Sequence, residues 1–268
     1  MDWRAFTVKV EGAQISGEQR GDGPPLVLVH GMAGSLHDWD RLVDALPQDL
    51  SLLRYDLRGF GASIALGGVP FSHADDLLAV LDARGIEQAA VAGVSMGGAI
   101  ALNFALNHPG RVAHLVLISP HMVGWEASAE WKDLWRAVAR AARSGDMARA
   151  RELWWHHPMF AVTRTSQRAE ELRYAIESYH GGQWVRDDQR AELPDVDRLH
   201  RLAPPALLLT DREDFADLAV IADVIAAAAP RLTRIDFPGA GHMIHLERNA
   251  EVAETIQRTV YQKNSRAT

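Results

Sequence analysis

The chain has no cysteine among its 268 residues, which removes disulfides, thiolate metal sites and a cysteine nucleophile from consideration. It also has no uninterrupted apolar stretch near the ~20 residues that a bilayer-spanning helix needs. Positive charge is not in excess. The formal net charge is -7 and the pI about 5.9, whereas a nucleic-acid binder shows clustered basic residues. The opening MDWRAFTVKV lacks the basic, then apolar, then small-residue layout of a secretory signal. Internal repeats, low-complexity segments and long flexible linkers are missing too. What is present, 47% hydrophobic and 24% charged residues, is ordinary for a globular protein and long enough to bury a sizeable core. The expectation is a soluble, cytoplasmic protein with neither a membrane nor a nucleic acid as partner.

The pattern along the chain is strand alternating with helix. AFTVKVEG and AQISGEQRG read as an antiparallel pair, each closed by glycine. PLVLVHG is a dense aliphatic run without alternation, as expected of a strand buried on both faces of a parallel sheet. SLHDWDRLVDAL then has helical spacing, with Leu36, Trp39, Leu42, Val43 and Leu46 on one side. LSLLRYDLRG reads as a strand, and SHADDLLAVLDARG as a helix opening at Ser72 and closing at Gly85. AAVAGVS, HLVLISP, ALLLTD and TRIDFPG are further strands; MGGAIALNFALNHPG, DLAVIADVIAAAAP and ERNAEVAETIQRTV are helices. Such alternation implies a mostly parallel sheet covered by helices on both faces. From 121 to 203 the pattern changes to one that reads as entirely helical and holds six of the eight tryptophans. The expected division is an α/β core of residues 1–120 and 204–268, with a helical cap of residues 121–203 inserted after the sixth strand.

The stretch VAGVSMGGAI places one serine between glycines, at the point where a strand pattern ends and a helix pattern begins. A strand, then G-x-S-x-G, then a helix is the setting in which this motif carries chemistry. Turning sharply from strand to helix crowds the backbone around Ser95. Gly93 and Gly97 are expected to relieve that crowding, since a Cβ at either place would meet the opposite arm of the turn. The hydroxyl then stands at the carboxyl end of a strand, where open α/β sheets bind ligands. Behind it, the first N–H groups of the helix favour negative charge.

Five stretches, LVLVHGMAGS, YDLRGFGAS, GVSMGG, LLLTDREDF and GAGHMIHLE, resemble the α/β-hydrolase superfamily, and the likeness covers nearly all of the chain. It is most similar to the small cofactor-independent group containing 3-oxoadipate enol-lactonases, simple esterases and ring-fission-product hydrolases. The resemblance implies the α/β-hydrolase fold and a chain order of nucleophile, acid, histidine. It makes His242 the base that a weakly nucleophilic hydroxyl requires. His245, three residues on, is expected to point back toward the final helix. The carboxylate that orients the histidine belongs after ALLLT, in a G-x-x-D motif from which this chain departs: Asp211 stands where glycine is usual. Asp211, Glu213 and Asp214 therefore compete, and counting along the motif favours Asp214. Asp211 suits a turn, and Glu213 a solvated loop charge. By resemblance the oxyanion hole comes from the backbone N–H groups of Met32 and Met96. Asp56 and Arg58 are expected to make structural hydrogen bonds beneath the loop.

Together these imply a serine hydrolase acting on a small, partly apolar ester or lactone through an acyl-enzyme, with no cofactor and no metal. Other chemistries of the fold stay open. Carbon–carbon bond hydrolases often carry asparagine before the nucleophile, where this chain has Val94; acyl transfer and perhydrolysis need only another acceptor; a non-catalytic ligand-binding protein could keep the fold. Aspartate is absent from the position of Ser95, which argues against dehalogenase and epoxide-hydrolase chemistry. Neither GMAGS nor MGGA has phosphate-loop spacing, and no G-x-G-x-x-G follows a strand. His156 and His157 are adjacent on a predicted helix and project about 100° apart, a structural arrangement rather than a metal site. The cap tryptophans either pack the cap on the core or line a pocket; Trp125, Trp154 and the nearby His121 are the candidate pocket residues. Arg136, Arg140 and Arg143 share a helical face, which is either solvated or a seat for a substrate carboxylate.

Overall fold

The computed structural model describes residues 2–261. Nine strands form one sheet: β1 (Arg4–Val10), β2 (Ala13–Arg20), β3 (Pro25–Val29), β4 (Ser51–Tyr55), β5 (Ile64–Ala65), β6 (Ala89–Val94), β7 (Val112–Ile118), β8 (Ala206–Thr210) and β9 (Leu232–Asp236). The spatial order is β1-β2-β4-β3-β6-β7-β8-β9, with β5 beside β2. β1 pairs with β2, and β2 with β4, in antiparallel fashion; from β4 through β9 every pairing is parallel. The helices are α1 (Asp40–Ala45), α2 (His73–Ala83), α3 (Met96–Asn107), α4 (Ala129–Arg143), α5 (Met147–Trp155), α6 (Ala161–Thr165), α7 (Ala169–Ser178), α8 (Gly182–Val185), α9 (Ala216–Ala228), α10 (Ile244–Glu247) and α11 (Asn249–Ile256).

The absence of alternation in PLVLVHG has the expected cause. Val27 and Val29 join one buried cluster with residues of α2, α3 and α9, while Leu26 and Leu28 join another with residues of α1 and α11. Each face of the strand is therefore covered, as the two-residue period of a strand requires. Leu36, Trp39, Leu42, Val43 and Leu46 are all buried, although Leu36–Trp39 is a 3-10 turn and only Asp40–Ala45 is α-helix. Ser72 caps α2 by accepting a hydrogen bond from the Ala74 N–H at 3.2 Å, and Gly85 follows its end at φ +67°.

Two organisational expectations need correction. The two-residue strand β5 was too short to show as a pattern, so the helical segment follows the seventh strand. That segment is also not helical throughout. Between α8 and a 3-10 helix at Val196–Arg201 the chain has no helix: the Phe71 N–H donates to the Asp188 carbonyl, and the Arg190 N–H donates to the Phe71 carbonyl. Asp56 and Arg58 behave as expected. Asp56 accepts from the Leu36 and Ala62 N–H groups, each at 2.8 Å. Arg58 clasps Asp76 with two bonds of 2.8 and 2.7 Å.

Candidate active site

β6 ends at Val94 and α3 begins at Met96, so the whole reversal falls on Ser95, whose φ is 55° and ψ -118°. A non-glycine residue in such a conformation stores about 1–3 kcal/mol. The surroundings hold it there: the Ser95 N–H donates to the Ile118 carbonyl at 3.0 Å, and its carbonyl accepts from the His121 N–H at 3.0 Å. Of the two flanking glycines, Gly93 acts as expected, because a Cβ there would lie 2.1 Å from the Gly97 carbonyl oxygen. For Gly97 the expected reason is wrong. Its Cβ would strike the Val29 carbonyl oxygen at 2.1 Å, on the neighbouring strand rather than the opposite arm. Gly97 lets α3 start hard against β3.

The loop after β3 lies against the serine. A Cβ on Gly31 would come 3.3 Å from Ser95 Cβ, and Ala33 adopts a left-handed φ of 61°. Among the described residues, neither the Met32 nor the Met96 N–H takes part in a hydrogen bond. Met96 is the first residue of α3, where N–H groups have no partner within the helix. Beneath the loop, His30 is wholly buried; its Nδ1 donates to the Gly31 carbonyl at 2.8 Å and its Nε2 accepts from the Leu57 N–H at 3.0 Å.

His242 is 1% exposed. Its Nδ1 lies 2.9 Å from Asp214 Oδ2, while Asp214 Oδ1 accepts from the Phe215 N–H at 2.7 Å. Among the described residues the other ring nitrogen, Nε2, is buried without a partner. The competing acids do not reach the ring. Asp211 Oδ1 closes a turn by accepting from the Glu213 N–H at 3.2 Å, and burial raises its carboxyl above the usual range. Glu213 is exposed. His245 is wholly buried. It packs at 4.8 Å on Trp39, in the turn after β3, and burial, with His242 a smaller influence, holds its pKa at about 3.

Ser95, His242, Gly31 and Met32 share the wall of a small cavity of about 20 Å³. Ser95 and Met32 also open onto a second cavity of about 400 Å³, walled by Met96, His121, Trp125, Trp131, Trp135 and Trp154. Volumes of this order suit small molecules. All three candidate pocket residues, His121, Trp125 and Trp154, thus line a space that Ser95 faces. Trp125 is fixed by its Nε1–H donating to Asp217 Oδ1 at 3.2 Å; the same oxygen accepts from the Ser128 N–H at 2.8 Å, tying the start of α4 to α9. The arginine row divides: Arg136 lines this cavity, whereas Arg143 turns to the Val185 carbonyl and Arg140 is exposed. A larger cavity of about 700 Å³ lies between α1 and α7, bridged by the Arg41–Glu171 ion pair, but neither Ser95 nor His242 lines it.

Residues 24–249 match the family described as having the alpha/beta hydrolase fold. The chain belongs to the α/β-hydrolase family. It is 30% identical over 250 residues to a pimeloyl-[acyl-carrier protein] methyl ester esterase of Nitrosomonas europaea, covering 86% of this chain and 93% of the relative. It is 32% identical to a dihydrolipoyllysine-residue acetyltransferase component of an acetoin cleaving system from Pseudomonas putida, over 87% of this chain, which spans 62% of that relative's length. The structure superposes on a thermophilic esterase from Thermogutta terrifontis with a TM-score of 0.80 and 25% identity, covering 98% of this chain and 100% of that one. Among the relatives of this α/β-hydrolase, then, are esterases that match most of its length.

Two groups that order the site were not singled out from the sequence. His30 braces the loop that carries Met32. Glu247 accepts from the Gly241 N–H at 2.6 Å and from Thr163 Oγ1 at 2.5 Å, joining the His242 loop to α6. The only signals were their presence within HGMAGS and GAGHMIHLE, because their partners lie elsewhere in the chain or on its main chain. His156 bonds Glu152 at 2.7 Å on the surface of α5, and His157 is buried among Trp131, Trp154, Phe160 and Phe215. Among the described residues no group of three or more His, Asp or Glu side chains is arranged to hold a metal ion. None of the helices there is long and apolar enough to cross a membrane.

Proposed function

We propose that this α/β-hydrolase is a serine hydrolase that cleaves esters or lactones of small, partly apolar acids. One observation carries the reading: a buried imidazole with one nitrogen held by a carboxylate at 2.9 Å and the other left unpaired, in the wall of the cavity that Ser95 lines. Asp214 fixes the tautomer with the proton on Nδ1, so Nε2 carries the lone pair. Ser95 Oγ attacks the carbonyl carbon as its proton passes to His242 Nε2. The developing oxyanion accepts from the Met32 and Met96 N–H groups, each worth ~10²–10³ in turnover. The imidazolium then protonates the departing alcohol, leaving an acyl-enzyme. Water, deprotonated by His242, releases the acid and restores Ser95. In this reading residues 121–203 act as a cap, and α4 and α5 supply the tryptophans that receive the acyl group.

Ser95→Ala should abolish turnover of aryl esters without loss of the fold. Unmodified protein should take up a fluorophosphonate probe at Ser95. Retained turnover in a clean Ser95→Ala preparation, or labelling elsewhere, refutes the proposal.

A further inference from the structure

The 400 Å³ cavity beside Ser95 has only two charged residues in its wall, and both are cations. Lys132 and Arg136 stand four residues apart, hence one above the other on successive turns of α4. Trp131 and Trp135 form the adjoining row of the same helix and complete an aromatic wall. Among the described residues no carboxylate lines this cavity. Lys132 pairs with Glu126, and Arg136 with Asp133 at 2.8 Å, but those acids point to solvent, with side chains 89% and 75% exposed. Exposed pairs of this kind are worth about 0–1 kcal/mol. Exchanging them for an anion inside a partly desolvated, aromatic-walled mouth therefore costs little, while an ammonium and a planar guanidinium fork together suit a carboxylate.

The side chains of Lys132 and Arg136 are 39% and 64% exposed, so they mark the open side of the cavity, whose wall Ser95 shares. An acyl chain with its carbonyl at Ser95 would lay its methylenes along the tryptophans and bring its far end to the two cations. We propose that Lys132 and Arg136 form a carboxylate subsite, and that the substrates are monoesters of straight-chain dicarboxylic acids. The proposal rests on the serine-hydrolase reading for the ester end and on the cavity wall for the acid end.

The test compares monomethyl adipate with methyl hexanoate, which share a six-carbon acyl chain and differ in terminal charge. For the unmodified enzyme the ratio of kcat/KM should favour the anionic ester. In Lys132→Met/Arg136→Met the ratio should fall by about tenfold or more, mostly through KM, as expected for lost ground-state binding. Binding is read separately in Ser95→Ala by tryptophan fluorescence. Monomethyl adipate should bind more tightly than methyl hexanoate, and adding the two methionine substitutions should remove the difference. A ratio indifferent to the two cations, or equal affinity for monomethyl adipate and methyl hexanoate, overturns the subsite even if both esters are cleaved. If neither ester is cleaved yet binding of monomethyl adipate depends on Lys132 and Arg136, the hydrolase reading fails and the carboxylate subsite stands.

Discussion

Replacing Asp214 by asparagine tests the site through a single proton. The substitution keeps shape, and the Phe215 N–H at 2.7 Å forces the new side chain to present its carbonyl oxygen there. The amide nitrogen is thereby turned toward His242 Nδ1, across the 2.9 Å that the carboxylate now spans. Two donors cannot face each other, so Nδ1 must become an acceptor and the ring proton must move to Nε2. In that tautomer Nε2 has no lone pair with which to take the proton of Ser95. The expected loss is ~10³–10⁴ in kcat, about 4–5.5 kcal/mol at ~1.36 kcal/mol per decade. Asp214→Ala leaves the tautomer free and should lose less than Asp214→Asn. Asp211→Asn and Glu213→Gln should stay within about threefold of the unmodified enzyme. The assay is steady-state turnover of an aryl acetate, with thermal unfolding to verify that each variant is folded. Should Asp214→Asn keep a tenth or more of the activity, or should Asp211→Asn be the variant that fails, the assigned orienting acid is wrong.

Gly97→Ala drives a methyl into the Val29 carbonyl; separating α3 from β3 should cost about 2–3 kcal/mol, measured by urea unfolding, and lower turnover as well. Gly110→Ala meets nothing within 4 Å and should change stability by no more than ~0.5 kcal/mol. Arg58→Met strands the buried carboxylate of Asp76 and should destabilise by about 3–5 kcal/mol. Arg58→Met/Asp76→Leu should recover much of that loss in the same unfolding measurement. His245 has its folded pKa lowered to about 3, below the ~6.5 of an unfolded histidine. The neutral ring's contribution is therefore complete above pH 6.5 and is lost as the pH falls from there toward 3. Between pH 7 and pH 5 this amounts to up to about 2 kcal/mol, and His245→Phe should flatten the pH dependence of unfolding by that amount. An unchanged slope would mean that some other group carries the acid sensitivity.

The features legible in the sequence are those whose cause is local. A run such as PLVLV reads as a strand buried on both faces, and a serine between glycines at a strand-to-helix junction as a tight corner, because both follow from backbone sterics and side-chain period over a few residues. The helix boundaries at Ser72 and Gly85 follow from capping for the same reason. Tertiary structure decided whatever depends on a partner far along the chain. Counting along the motif favoured Asp214 over Asp211 and Glu213, but only the fold brings His242, 28 residues away, against one of the three. Gly97 proved necessary because of a neighbouring strand, and β5 forms because Ala13 and Gln14 at the start of β2 lie beyond the reach of β4 and leave that side open to pairing. The six tryptophans of the segment after β7 were visible as a group, but which of them face Ser95 depends on how α4 and α5 lie across the sheet, and that is set by packing and by the anchor at Asp217. Local sterics write themselves into the chain residue by residue; a pocket is a relation between segments, and only their packing creates it.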